Sequence, residues 1–374
     1  MKKKIVISTT NDIATDQRMQ RFCHTLHKAG YEITWVGRWK KNALPVNSKN
    51  FSTKRFVLLF NHGPLFYLSF NWRLFWFLLF SKADIFLAVD LDTAPAHFFA
   101  SILMRKPLVI DSHEYFTGVP ELNNRKMVQR IWKSAEKFIY KRVKYHITVN
   151  DSLKELFEKE YKVKWEVVKN FPLKPEGTPV PKNFPEGEIR IIYQGVLNKD
   201  RGLEETMMAF KKLPGNFKLI IAGDGDIAFQ LKEWVMEEHM QHIITFTGKL
   251  APDHLRTLTS KCHAGISPEK DTNINYRLAL PNKIFDYLHA GLPIIISPLE
   301  EMKKITGHFH CGVTFSVHSP EHIAESIKNL FADKTVYESM SKNAVLSIPN
   351  LCWEMQEENI INFFENITSN HSQT

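Results

Sequence analysis

The chain has 374 residues, 44% hydrophobic and 24% charged, which gives room for two cores and excludes a disordered or fibrous protein. Cys23, Cys262, Cys311 and Cys352 lie far apart with no CxxC spacing, so neither a disulfide framework nor a cysteine zinc centre is expected, and a reducing cytoplasm fits. Residues 1–170 hold 29 Lys and Arg against 15 Asp and Glu, a balance of +14, whereas the rest holds 20 against 25; the basic half points to an anionic partner, a membrane surface or nucleic acid, unless it is simply a solvated face.

Residues 4–9 (KIVIST) read as a strand, too short for a signal-peptide core, and 16–29 as a helix with Met19, Phe22, Cys23 and Leu26 on one face. Gly30 closes the helix and 31–37 form the next strand, so the chain opens as a parallel β-α-β crossover. Ligands of such sheets bind beyond the carboxyl ends of strands, which makes Asn11, Asp12, Asp16 and Arg18 candidate substrate contacts. Residues 65–80 are the most apolar segment. They fall short of the roughly 20 apolar residues that span a bilayer, leaving a buried helix, the favoured reading, or one lying in a membrane interface. Strands at 83–89 and 107–110 deliver Asp90-Leu91-Asp92 and Asp111-Ser112-His113-Glu114 to the same edge, where an imidazole could bond a hydroxyl or phosphate.

From Lys126 the spacing predicts a helix with Lys126, Arg130, Lys133, Lys137, Lys141 and Lys144 in one basic stripe and Ile131, Ala135, Phe138, Ile139 and Val143 on an apolar face. Such a stripe can hold anionic headgroups, or can be solvated. After a strand at 145–149 and a helix capped by Ser152, residues 171–187 carry Pro172, Pro175, Pro179, Pro181 and Pro185 and read as a linker. The expected domains are therefore 1–170 and 188–346, with a final segment at 347–374.

The second half repeats the pattern, with strands at 189–194, 217–222, 243–247 and 264–267 and helices at 203–212 and 319–331. Gly195 to Arg201, Gly223-Asp224-Gly225 and Gly248-Lys249 lie at strand ends, where glycine lets backbone approach a ligand. Residues 283–290 read as a short helix with Asn282 as its N-cap, Lys283 in its first turn and Gly291 at its end. A helix start with a lysine suits a phosphate, and Asp286 on the same face suits a ribose diol. Together these elements favour a nucleotide diphosphate site over an ordinary capped helix. The His308, His310, Cys311 group has metal-ligand residue types, but its spacing in a loop argues against a metal.

With these residues in place, the chain resembles glycosyltransferase family 4, whose members are retaining nucleotide-sugar transferases. The resemblance rests on Asn11-Asp12 through Asp16-Gln17-Arg18, Asp90-Leu91-Asp92, Asp111-Ser112-His113-Glu114, Tyr193-Gln194-Gly195 with Arg201-Gly202, Ala222-Gly223-Asp224-Gly225, Pro281-Asn282-Lys283 and Trp353-Glu354, in that order. It implies an α/β GT-B fold, two Rossmann-like domains facing a cleft, with a basic acceptor-binding domain first and the C-terminal helix crossing back to it. It further implies that His113 faces the donor sugar, that Arg201, Asn282 and Lys283 bind the diphosphate, and that Asp286 binds the ribose. Two positions depart from the family pattern: Leu278 stands where many members have a first glutamate, and Val196 where many have an arginine. The first contact to the transferred sugar is then expected from Glu269, Asn275 or backbone.

The implied chemistry uses a nucleotide-sugar co-substrate, a glycan or lipid-linked acceptor and no metal, on the cytoplasmic side of a membrane that the basic domain contacts. Lys283→Ala and Arg201→Ala are expected to abolish nucleotide binding while leaving the unliganded melting temperature nearly unchanged. Two rivals are weaker. A nucleotide-sugar epimerase of the same architecture needs acid and base carboxylates that are not identifiable, and a nucleic-acid-binding protein would explain the charge but not the phosphate-site elements, with no recognised nucleic-acid motif present.

Overall fold

The computed structural model describes residues 2–40, 45–46, 48–119, 122 and 125–371; Met1 and residues 372–374, at the ends of the expected first domain and final segment, lie outside the described residues. The chain divides into two compact units, Met1–Asn170 with Trp353–Thr374, and Phe171–Cys352.

In the first unit the strands are β1 (Lys4–Ser8), β2 (Glu32–Arg38), β3 (Ser52–Phe56), β4 (Ile85–Val89), β5 (Leu108–Ser112), β6 (Tyr145–Thr148) and β7 (Glu166–Val167). They form one parallel sheet in the order β3-β2-β1-β4-β5-β6-β7, with Ile5 paired to Ile33 on one side and to Ile85 on the other. β4 and β5 are buried at every residue, as parallel strands covered on both faces must be. β3 is a polar edge strand that the apolar pattern does not announce. The order reverses at β1, so the loops after β1 and β4 meet at a topological switch point.

The helices are α1 (Gln17–Lys28), α2 (Gly63–Phe80), α3 (Ala94–Met104), α4 (Lys126–Tyr140) and α5 (Asp151–Tyr161). Met19, Phe22, Cys23 and Leu26 of α1 are buried, as their spacing predicts. Three expectations need correction. α2 buries only Phe66, Phe70, Leu74 and Leu78, every fourth residue, so it is not a fully buried helix. In α4, Ile131 and Phe138 of the expected apolar face are exposed, while Lys133 of the basic stripe is enclosed by Glu136 and Glu160 at 2.9 and 2.6 Å. The cap of α5 is Asn150, whose side chain accepts from Leu153 N, rather than Ser152.

The second unit holds β8 (Ile189–Gln194), β9 (Phe217–Ala222), β10 (Ile244–Gly248), β11 (Ala264–Ser267), β12 (Ile294–Ile296) and β13 (Gly312–Thr314) in the order β10-β9-β8-β11-β12-β13, all parallel. Its helices are α6 (Leu203–Lys211), α7 (Ala228–Glu237), α8 (Pro252–Ser260), α9 (Ile274–Arg277), α10 (Asn282–His289), α11 (Glu300–Phe309), α12 (Pro320–Leu330) and α13 (Lys334–Ser347). Here the switch point lies between β8 and β11. The proline-rich stretch 171–187 belongs to this unit and is fastened to it: Lys182 N donates to Ser341 Oγ at 2.6 Å, and Phe184 packs on Tyr337.

Residues 347–352 also stay with the second unit, so the returning segment begins at Trp353 instead of 347. α14 (Glu354–His371) covers α1 through Phe22, whose ring lies 5.7 Å from Trp353 and 6.4 Å from Phe364. Trp353 Nε1 also donates to Thr25 Oγ1 at 2.9 Å.

Candidate active site

In the second unit a buried carboxylate organises the strand ends. Glu269, with no exposed surface, follows β11 and accepts from Ser267 Oγ and Lys283 Nζ, both at 2.7 Å. Arg201, from the loop after β8, brings Nη1 to 3.7 Å from the same Glu269 oxygen that Lys283 bonds. Burial opposes the charge on Glu269, but Lys283 and Arg201 outweigh it and hold its pKa below the ordinary value. Two aromatic rings fix the cations, Tyr193 at 3.8 Å from Lys283 Nζ and Tyr276 at 4.8 Å from the Arg201 guanidinium. Two cations thus share one carboxylate and retain a net positive charge.

The glycines give this cluster its backbone. Gly195 has φ +140°, and a Cβ there would sit 3.6 Å from Lys283 Nζ. A Cβ on Gly223 would fall 1.8 Å from the Gly195 carbonyl oxygen, and one on Gly225 would fall 2.5 Å from that of Leu197, so the turns after β8 and β9 pack backbone on backbone. α10 begins one residue earlier than expected. Its N-cap is Pro281, no side chain caps it, and Asn282 is its first residue. Pro281 offers no side-chain cap to the start of α10, and Lys283 stands in its first turn, an arrangement that suits an anion. Asp286, exposed one turn later, accepts from Gln194 Nε2 at 2.6 Å, and Gln194 Oε1 accepts from Thr259 Oγ1 at 3.0 Å.

In the first unit, Arg18 and Asp111 form a fully buried two-pronged pair, Nη2 to Oδ1 at 2.9 Å and Nε to Oδ2 at 3.2 Å. Arg18 also donates to the Val168 carbonyl at 2.7 Å. His113 Nε2 lies 3.0 Å from Asp111 Oδ2, and the backbone N–H of His113 donates to Asp90 Oδ1 at 2.8 Å. Burial opposes a charge on His113, but Asp111 and Asp90 outweigh it and raise its pKa to about 9, so the imidazole is cationic at neutral pH. Asp111 is held well below the ordinary carboxylate range, because Arg18 and His113 overcome its burial. Asp92 behaves oppositely: burial, then the charge of Asp90, raises it to about 7, and Thr10 Oγ1 donates to it.

The structure thus brings Arg201, Lys283, Glu269, Gly195, Asn282 and Asp286 together at one sheet edge, and His113 with Asp92 at the other unit's edge. Other predicted contacts have structural duties. Asp16 caps α1 by accepting from Met19 N at 3.0 Å, Asp12 accepts from Ala14 N and faces Arg55 at 3.5 Å, and Arg18 is turned inward. Asn11, Glu114 and Lys249 are exposed on strand-end loops, and Asn275 lies half-buried in α9. Sequence reasoning missed Tyr276, Ser267 and Thr259 as supports. No local motif marks them, because each acts through a side chain distant in sequence. All four cysteines are free and buried, and among the described residues no three His, Cys, Asp or Glu side chains are grouped to hold a metal ion.

The family model described as "Glycosyltransferase Family 4" matches residues 17–171, and that described as "Glycosyl transferases group 1" matches residues 177–346. A curated relative is an uncharacterized glycosyltransferase of Methanocaldococcus jannaschii, 23% identical over 183 residues; the match spans 48% of this chain and 45% of the relative's length. Among solved structures, sucrose-phosphate synthase from Thermosynechococcus elongatus superposes with a TM-score of 0.82 at 14% identity, covering 98% of this chain and all of that one. HepE from Anabaena in complex with UDP-glucose gives 0.72 at 13% identity, covering 99% and 100%. The fold is therefore GT-B, two parallel-sheet α/β domains. On the two family matches, which follow one another along the chain, this protein belongs to the family 4 type of glycosyltransferases.

Proposed function

We propose that the protein transfers a sugar, with retention, from a nucleotide-diphosphate sugar to a glycan or lipid-linked acceptor in the making of cell-surface polysaccharide, at the cytoplasmic side of a membrane. The observation that carries the donor half is the convergence of Arg201 and Lys283 on Glu269 beside the first amides of α10. Negative charge grows on the departing diphosphate, and fixed positive groups in a dry setting stabilise it without reorganising. HepE, a neighbour of the same fold, binds UDP-glucose, which supports a donor of this class. Asp286, supported by Gln194, is suited to a ribose diol.

In this reading the anomeric carbon–oxygen bond to phosphate breaks as the acceptor oxygen attacks on the same face, and the acceptor proton passes to the departing diphosphate. Arg201, Lys283 and the α10 amides bear the charge, so transfer is expected to survive excess EDTA. His113, whose Nε2 is held by Asp111, offers Nδ1, 3.8 Å from Asp90 Oδ2, as a hydrogen-bond donor for a sugar hydroxyl.

Thermal-shift titration with UDP, GDP and ADP, then with their sugars, tests the donor site. At least one nucleotide should raise the melting temperature, and Arg201→Ala should remove that response. An undiminished response in Arg201→Ala would move the site elsewhere. Conversion of a donor sugar to its epimer without acceptor would replace transfer by epimerisation.

A further inference from the structure

α2 has no acidic residue, and the face it turns away from its buried stripe is aromatic and aliphatic. Leu65, Leu68, Trp72, Trp76 and Phe80 follow one another at spacings of three and four, and all are exposed, Trp72 at 62% and Phe80 at 78%. Trp76 joins the row edge-on to Trp72 at 5.8 Å and stacked on Phe80 at 6.4 Å. The row continues sideways: α3 packs against α2 and exposes Phe99, Ile102 and Leu103. α4 follows, joined through Tyr67 to Trp132 at 5.2 Å and Phe98 to Phe138 at 5.6 Å, and exposes Met127 and Ile131. A contiguous apolar patch over three helices is far more than scattered surface leucines and marks an interaction surface.

The charges on this surface say what covers it. Lys126, Arg130 and Lys137 of α4 are exposed, as are Lys141 and Arg142 just beyond its end, and Arg142 lies over the Phe138 ring at 4.0 Å. The single carboxylate in α2, α3 and α4 is Glu136, which is fully buried. A second copy docked on this face would bring these cations against their like. An anionic bilayer supplies both complements at once, acyl chains for the tryptophans and headgroup phosphates for the lysines and arginines. Among the described residues no helix is long and apolar enough to cross a membrane, so the contact is adsorption in the interface.

We infer that the outward face of α2, flanked by α3 and the cations of α4, is the surface by which the first unit lies on an anionic lipid bilayer. The inference deepens the proposed acceptor at a membrane and rests on that reading for its purpose, while its evidence is this face alone.

The test uses the whole chain with vesicles of phosphatidylcholine, alone or mixed with phosphatidylglycerol. The protein should co-sediment with the mixed vesicles, bind less as salt is raised, and have its tryptophan emission quenched by lipids brominated in their acyl chains. Trp72→Ser with Trp76→Ser should remove the quenching. Arg130→Glu with Lys137→Glu should weaken binding by roughly tenfold or more. These side chains are exposed, so both double variants should keep the parent's circular dichroism and its nucleotide-induced thermal shift. Retained nucleotide response with vesicle binding unchanged by either double variant overturns the surface and leaves the donor site standing. Loss of nucleotide response in the parent with vesicle binding intact does the reverse. A dimer in gel filtration that Trp72→Ser with Trp76→Ser dissociates would assign the face to a second copy and overturn the proposal.

Discussion

Lys283 reaches Glu269 where neither side chain meets water freely, so removing one partner is a different experiment from removing both. Lys283→Ala leaves a buried carboxylate with the Ser267 hydroxyl and, as its one cation, the more distant Arg201, a loss of roughly 3–5 kcal/mol. This corrects the expectation, drawn from sequence, that the variant keeps its melting temperature; a fall on the order of 10 °C should appear by calorimetry. Lys283→Met with Glu269→Gln should recover most of that loss while still failing to respond to nucleotide. If the single variant melts with the parent, Glu269 is not the buried anion described. The pair was illegible in sequence because the two residues lie fourteen apart, across a loop whose path no local pattern fixes. Arg18 was misread for the same reason: its partner Asp111 is 93 positions away.

Protonation gives a second test at this scale. The folded pKa of His113 is about 9, above the roughly 6.5 of an unfolded histidine, so its contribution is complete below pH 6.5 and is lost as pH rises through 9. Asp92, raised to about 7, likewise costs stability as pH climbs from the unfolded value near 4 through 7. Denaturant unfolding of the first unit should therefore weaken across both windows. His113→Gln should flatten the upper one and Asp92→Asn the lower. Identical pH profiles in parent and variants would contradict both assignments.

At the scale of elements, long periodic segments were legible and their surroundings were not. The face of α1 and the strands β8, β9 and β11 follow directly from apolar spacing and β-branched runs. α2 was misjudged because hydropathy registers how apolar a segment is, not what lies against it, and here the neighbours cover only every fourth residue. α11 and α13 went unread, each being a mixed-composition helix set by packing more than by propensity. α14 shows what such packing is worth. Trp353 is buried against Phe22 and bonded to Thr25, so Trp353→Ala should destabilise the first unit by roughly 3–5 kcal/mol. A change below about 1 kcal/mol in its unfolding would mean that the closing helix is not fastened there.

The whole molecule combines two units that each have their own parallel sheet and core. Units so built should unfold in separate calorimetric transitions, and substitution can assign each one. Trp353→Ala should lower one transition, that of Met1–Asn170 with the returning segment, and Lys283→Ala the other, that of Phe171–Cys352. A nucleoside diphosphate that binds the Arg201 and Lys283 cluster can stabilise only the unit that holds those residues. At a hundred times its dissociation constant it contributes about 2.7 kcal/mol, enough to move that transition by several degrees. The transition lowered by Lys283→Ala should therefore be the one that nucleotide raises, while the Trp353-sensitive transition stays in place. Should nucleotide raise the Trp353-sensitive transition alone, the phosphate site belongs to the first unit, and the assignment of Arg201 and Lys283 fails however well their geometry suits an anion.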